Sequence, residues 1–112
     1  MISGAHIVIS TKDVHADRAF FRDVLGIACI DAGGGRLFFK LPPGEMDMHE
    51  SERNDHHELY LQCEDVEATV ARLKQAGVPC ETPVDRGWGI LTAFTLPGGG
   101  KIGLYQPRHP RP

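Results

Sequence analysis

Two ionisable side chains open two similar stretches of this 112-residue sequence. His6 stands seven residues before Asp13, and Glu58 stands seven residues before Asp65, so the two stretches are offset by 52 residues. An imidazole can act as an acid, a base or a metal ligand near neutral pH, and a carboxylate can act as a general base. The repeat therefore predicts that His6 and Glu58 hold equivalent places in two units of similar build.

Each of these residues is predicted to lie on the polar face of a β-strand. Residues 5–11 alternate and are rich in isoleucine and valine, which is typical of a strand. In the second stretch Leu59 and Leu61 share one face, while Glu58 lies on the other with polar neighbours. The apolar faces should pack on helices, and the polar faces should line a curved surface of the kind where small molecules bind.

A helix is predicted to follow each strand. Asp13 and Asp65 can accept hydrogen bonds from the first helical turn, and Gly26 and Gly77 stand where left-handed residues end helices. The predicted apolar faces of the helices are Ala16, Ala19, Phe20 and Val24 in the first and Val66, Val70 and Leu73 in the second.

The remaining alternating segments complete an α+β fold. Further strands are predicted at residues 27–30, 36–41 and 45–49 in the first half and at 78–80, 90–96 and 101–106 in the second. The sequence thus predicts one domain over residues 1–112, made of two tandem βαβββ modules. They are residues 5–49 and 58–107, joined by a polar linker at 50–57.

The composition limits the partners. The chain is 41% hydrophobic and 24% charged with a net charge of −3, which argues against nucleic acid or a membrane surface. Cys29, Cys63 and Cys80 are odd in number and form no C-x-x-C pair, so a reducing cytoplasm is the predicted location. Half of this chain is too small to be stable alone, so the halves are expected to pack on each other or on a second copy.

Four motifs follow one another along the chain: His6-x6-Asp13, Leu25-Gly26, Trp88-Gly89 and the closing hairpin Pro97-x-Gly-x-x-Ile-x-Leu104. This ordered set resembles the vicinal oxygen chelate superfamily of glyoxalase I, extradiol dioxygenases, fosfomycin resistance proteins and bleomycin resistance proteins. The resemblance covers residues 5–107. It implies a curved mixed sheet that forms a cup, completed by a homodimer in a chain of this length.

The resemblance also implies a place for a divalent metal. His6, Glu58 and Asp47 correspond to the ligand places, and such a set suits Fe, Mn, Ni or Zn. The usual glutamate ligand of the last strand is replaced by Gly103, which has no ligand atom. In a metal-free site, Glu58 would instead be the catalytic base.

Three functions remain open at this point. The first is a metal-dependent lyase or dioxygenase that acts on a substrate with vicinal oxygens in a cup centred on His6 and Glu58. The second is a metal-free protein of the bleomycin-resistance type that binds a drug or an aromatic metabolite. The third is a metal-free enzyme that uses Glu58 or His6 as acid or base. The predicted substrate-binding residues are Phe38, Tyr60, Trp88 and Tyr105.

In an alternative interpretation, these residues have only structural roles and take no part in binding or catalysis. His6 and Glu58 would then be a hydrogen-bonded polar pair, Asp47 an exposed strand residue and Trp88 a core anchor. Gly103 favours the metal-free functions, whereas a carboxylate inside the cup favours an enzyme, because a pure binding cup has little use for a buried charge.

Overall fold

A computed structural model describes residue 1 and residues 3–112 as an α+β protein. The chain forms two compact units, Met1–Pro43 with Pro97–Gly99 (unit 1) and Gly44–Leu96 with Gly100–Pro112 (unit 2). Within the described part, no helix has the length and apolarity needed to cross a membrane.

Unit 1 contains a helix and a short hairpin. Helix α1 (Val14–Ala19) continues into a π-helical turn (Phe20–Val24). The predicted caps are confirmed, because the Asp13 carboxylate accepts from the Ala16 amide at 3.0 Å and Gly26 has a φ of 66°. Strands β1 (Cys29–Asp31) and β2 (Leu37–Phe39) then pair antiparallel.

The apolar face of the first helix was predicted only in part. Phe20 is buried, but Val24 is 41% exposed, because the π-helical turn changes the angular spacing on which the prediction relied. Asp17 is buried instead, and its Oδ1 accepts from the Gly98 amide at 2.7 Å. This bond fixes the turn Pro97–Gly99 beside α1.

Unit 2 is a four-stranded sheet covered on one face by a helix. Its elements are β3 (Tyr60–Gln62), α2 (Val66–Gln75), β4 (Val84–Asp85), β5 (Gly89–Thr95) and β6 (Lys101–Pro107). The strand order is β3-β6-β5-β4, with β3 parallel to β6 and the other pairs antiparallel. The predicted cap of α2 is confirmed by the Asp65 carboxylate, which accepts from the Ala68 amide at 3.1 Å.

The core of unit 2 lies between α2 and the two long strands. The helix contributes the predicted residues Val66, Val70 and Leu73, which are all buried, and it packs against β5 and β6. Phe94 of β5 is 1% exposed, and burial of such a side chain is worth about 1.5–3 kcal/mol. Because strand residues alternate, the other face of this sheet is left for residues that are not part of the core.

Several predicted strands are absent or displaced. Residues 5–11 and 45–49 belong to no strand in the described structure, and residues 78–80 contribute only a bridge between Cys80 and Phe94. In unit 2, the first strand pairs with the last (β3 with β6), and the equivalent partners in the first module would be 5–11 and 45–49. These two segments fall in different units, and neither forms a ladder. The strand β4 lies between two predicted strands, in a stretch where the sequence predicted none.

Residues 50–57, the predicted linker, lie in neither helix nor strand. The bounds of the two tandem modules stay a prediction.

Candidate functional site

The strand register places one set of side chains on the face of the unit 2 sheet that α2 does not cover. Ile102 and Leu104 of β6 are buried on the core side, so Gly103 and Tyr105 point to the opposite side. Tyr60 of β3 pairs in register with Gly103. This side of the sheet is called the open face below.

Aromatic rings gather on the open face around Tyr105. The Tyr60 ring meets it edge-on with centroids 6.0 Å apart, and the Trp88 ring does so at 5.6 Å. Tyr60 is 41% exposed and Trp88 is 49% exposed. Three of the four predicted substrate-binding residues therefore come together, with ring surface still accessible.

Phe38, the fourth predicted residue, lies in unit 1. Its ring meets the His6 ring edge-on with centroids 4.9 Å apart. With Cys29 and Ile30 it also lines an open apolar depression of about 340 Å³. His6 is thus a neighbour of an aromatic ring within its own unit.

A polar cluster borders the rings. The Gln62 amide nitrogen donates to the Tyr105 hydroxyl at 2.6 Å and to Glu45 Oε2 at 3.0 Å. The Arg111 guanidinium donates to Glu45 Oε1 at 3.0 Å and also to the Gln62 side-chain oxygen. The hydrogen bond from Arg111 holds the pKa of the Glu45 carboxyl below its usual range, although desolvation opposes the shift.

Little in the amino-acid sequence indicated this cluster. Gln62 was expected on the polar side of its strand, but Glu45 carried no predicted role. Arg111 lies in a proline-rich stretch that reads as an irregular tail. These residues are far apart along the chain and meet only because the tail returns to β3.

The predicted ionisable site residues of unit 2 are exposed. The Glu58 carboxylate lies 3.7 Å from the His56 ring nitrogen, with 62% of its side chain exposed. The Asp47 carboxylate lies 3.0 Å from His49, and both side chains are largely exposed. Burial, and secondly Glu58, raise the pKa of the Tyr60 hydroxyl.

The residues do not fit a metal within one chain. Among the described residues, no group of three His, Cys, Asp or Glu side chains is placed to hold a metal ion. The position of the usual glutamate ligand is also filled. A Cβ on Gly103 would stand 2.8 Å from Cγ and 2.5 Å from Cε1 of Tyr60, so the tyrosine ring occupies the space that a longer side chain would need.

A model of the glyoxalase/bleomycin resistance protein/dioxygenase superfamily matches residues 4–104, which confirms the resemblance seen in the sequence. None of the curated protein sequences compared with the chain matches it.

Several solved structures share the fold. The antibiotic-binding protein TnmS3 from Streptomyces sp. CB03234 is 25% identical with a TM-score of 0.68, and the match covers 95% of this chain and 97% of that one. Lactoylglutathione lyase from Agrobacterium tumefaciens is 17% identical with a TM-score of 0.66, covering 93% and 92%. The fosfomycin resistance protein FosX from Listeria monocytogenes is 20% identical with a TM-score of 0.66, covering 95% and 94%.

Proposed function

We propose that this chain, which belongs to the glyoxalase/bleomycin resistance protein/dioxygenase superfamily, binds an aromatic small molecule on the open face of unit 2 without a metal. One observation carries the proposal. The Tyr60 ring covers Gly103, where a metal-binding glutamate would stand, and forms an aromatic group with Tyr105 and Trp88. An aromatic surface suited to stacking therefore occupies the position of the metal-binding glutamate.

The chemistry of the open face suits a flat ligand with a polar edge. Partly exposed aromatic rings bury large apolar areas and favour offset or edge contacts with other rings. Gln62 and the Tyr105 hydroxyl are the polar groups beside the rings. Small-molecule sites combine such apolar walls with a few placed polar groups. TnmS3, which is described as an antibiotic-binding protein, supports this reading at 25% identity.

A binding experiment tests the proposal. N-phenyl-1-naphthylamine, a neutral aromatic dye, is expected to gain fluorescence on binding and to quench Trp88, the single tryptophan. Tyr105→Ala should weaken binding by about fivefold, because one ring contact is worth on the order of 1 kcal/mol. Phe39→Ala, in unit 1, is the aromatic control and should leave the affinity unchanged. Equal affinity of the wild type and Tyr105→Ala would refute the proposed face.

The metal-dependent enzyme of the glyoxalase or dioxygenase type remains the competing hypothesis. It assigns His6, Glu58 and Asp47 to Fe, Mn, Ni or Zn, and it is favoured by the accessibility of the Glu58 and Asp47 carboxylates. Elemental analysis of protein purified without chelators distinguishes the two. A stoichiometric transition metal that is lost in His6→Ala would overturn the metal-free proposal.

A variant of Glu58 tests the hypothesis that the protein is a metal-free enzyme. If the protein abstracts a proton from a bound substrate through this carboxylate, Glu58→Gln should abolish the transfer while dye binding is kept. Transfer that survives in Glu58→Gln would exclude Glu58 as the base.

We further propose that the chain forms a homodimer. Residues 5–11 and 45–49 have the alternation of strands but pair in no described ladder, and their apolar side chains are open to solvent. Val8 is 78% exposed and Met46 is 83% exposed. Segments with strand alternation and unpaired backbone groups can pair with another chain. Light scattering at micromolar concentration should give the mass of two chains, and the mass of one chain would contradict this.

A further inference from the structure

The last residues of the chain lie on the aromatic group of the open face. The His109 ring stacks on Tyr105, with centroids 6.0 Å apart and an interplanar angle of 30°. It also lies 6.3 Å from the Trp88 ring centroid. The imidazole is thus a flat ring placed on the same two residues that the proposed function gives to a flat ligand.

The hydrogen bonds of His109 match this placement. Its Nδ1 lies 2.8 Å from the Pro110 carbonyl oxygen and can only donate to it, so Nε2 is the acceptor in the neutral ring. The Tyr105 hydroxyl then donates to Nε2 at 3.3 Å and accepts from Gln62 at 2.6 Å. The polar edge of the open face is therefore already engaged by the protein's own tail.

The tail is held at both ends. At Arg108, the backbone amide donates to the Trp88 carbonyl at 2.9 Å and the guanidinium lies 2.7 Å from Asp85 Oδ2. At Arg111, the guanidinium contacts Glu45, whose side chain is only 19% exposed, and also Gln62. His109 lies between these two anchors.

Both hydrogen-bond donors of the Gln62 side chain are already engaged. Its amide nitrogen carries two N–H donors, used by Glu45 and Tyr105, and its oxygen accepts from Arg111. A ligand that needs an N–H donor from this amide must therefore replace Glu45 or Tyr105.

We propose that residues 108–111 are a strap that closes the open face, with His109 in the place of a ligand ring and Arg111 as the latch. Ligands of this face then bind in competition with the strap. The strap itself depends only on contacts within the chain, whereas its effect on ligands rests on the proposed function.

Acrylamide quenching of Trp88 tests the strap without any ligand. Arg111→Ala removes the latch but no contact of Trp88, so increased quenching would show that the latch controls access to the ring. His109→Ala should increase quenching directly. Arg53→Ala, an exposed arginine of the same unit, is the matched control and should quench like the wild type. Wild-type quenching in Arg111→Ala would overturn the proposal.

Dye binding tests the competition. N-phenyl-1-naphthylamine should bind Arg111→Ala about two- to fivefold more tightly than the wild type, the range expected when an ion pair at the surface is lost. Arg111→Lys should restore much of the wild-type affinity. An unchanged or weaker affinity in Arg111→Ala would refute the competition. If quenching rises but the dye binds no variant, the strap is supported and the proposed function fails.

Discussion

Replacing Gly103 with alanine is expected to destabilise the protein through a single contact, the one with the Tyr60 ring. The added Cβ would stand 2.5 Å from Cε1 and 2.8 Å from Cγ of that ring. Ordinary contacts between carbon atoms lie near 3.5–4.0 Å. The ring must therefore retreat by about 1 Å or leave its place beside Tyr105.

The size of the effect follows from two opposing terms. Overpacking of this kind costs about 1–3 kcal/mol. Replacing a glycine in a strand with alanine raises the free energy of unfolding by about 0.5–1 kcal/mol, because the unfolded chain loses conformational freedom. Tyr60 is half-exposed and can move, so we expect a net loss of about 0.5–2 kcal/mol in the free energy of unfolding.

A double-mutant cycle measured by urea unfolding isolates the contact. In a Tyr60→Ala background the clash is gone, so Gly103→Ala should be neutral or stabilising by about 0.5–1 kcal/mol. In a Tyr60→Phe background the ring remains, and the penalty should persist. Additive effects of Tyr60→Ala and Gly103→Ala, within about 0.5 kcal/mol, would refute the packing argument.

Two further changes probe other contacts. Gly98→Ala places a methyl against the Thr11 hydroxyl and 3.0 Å from an Asp17 carboxylate oxygen, which should cost about 1–3 kcal/mol of unfolding free energy. Gly100→Ala, whose nearest neighbour lies at 4.0 Å, should be nearly neutral. Asp85 has a lowered pKa, mainly because it accepts from the Gly87 amide. Its contribution to stability is therefore present above its unfolded pKa of about 3.9 and lost as the pH falls through the folded value. The difference in urea midpoint between the wild type and Asp85→Asn should shrink from pH 6 to pH 3, and a constant difference would contradict this origin.

Local signals in the sequence predicted the elements that depend on a few neighbouring residues. Both aspartate caps, both glycine helix ends and the long hairpin of β5 and β6 were recognisable, because capping and turn geometry are set within about four residues. The predicted strands at 5–11 and 45–49 are absent from the described structure. An alternating pattern indicates that a segment can pair, but it does not supply the partner strand. The π-helical turn was missed for a similar reason, since the apolar pattern assumes a regular helix.

The candidate site, too, was predictable from the sequence only in part. The sequence by itself determined the family, the repeat that relates His6 to Glu58, and the aromatic residues available for binding. Only the tertiary structure decided that Tyr60 fills the space beside Gly103 and that the tail returns to Gln62. Those contacts join residues more than forty positions apart, and their energies depend on distances that no local pattern encodes.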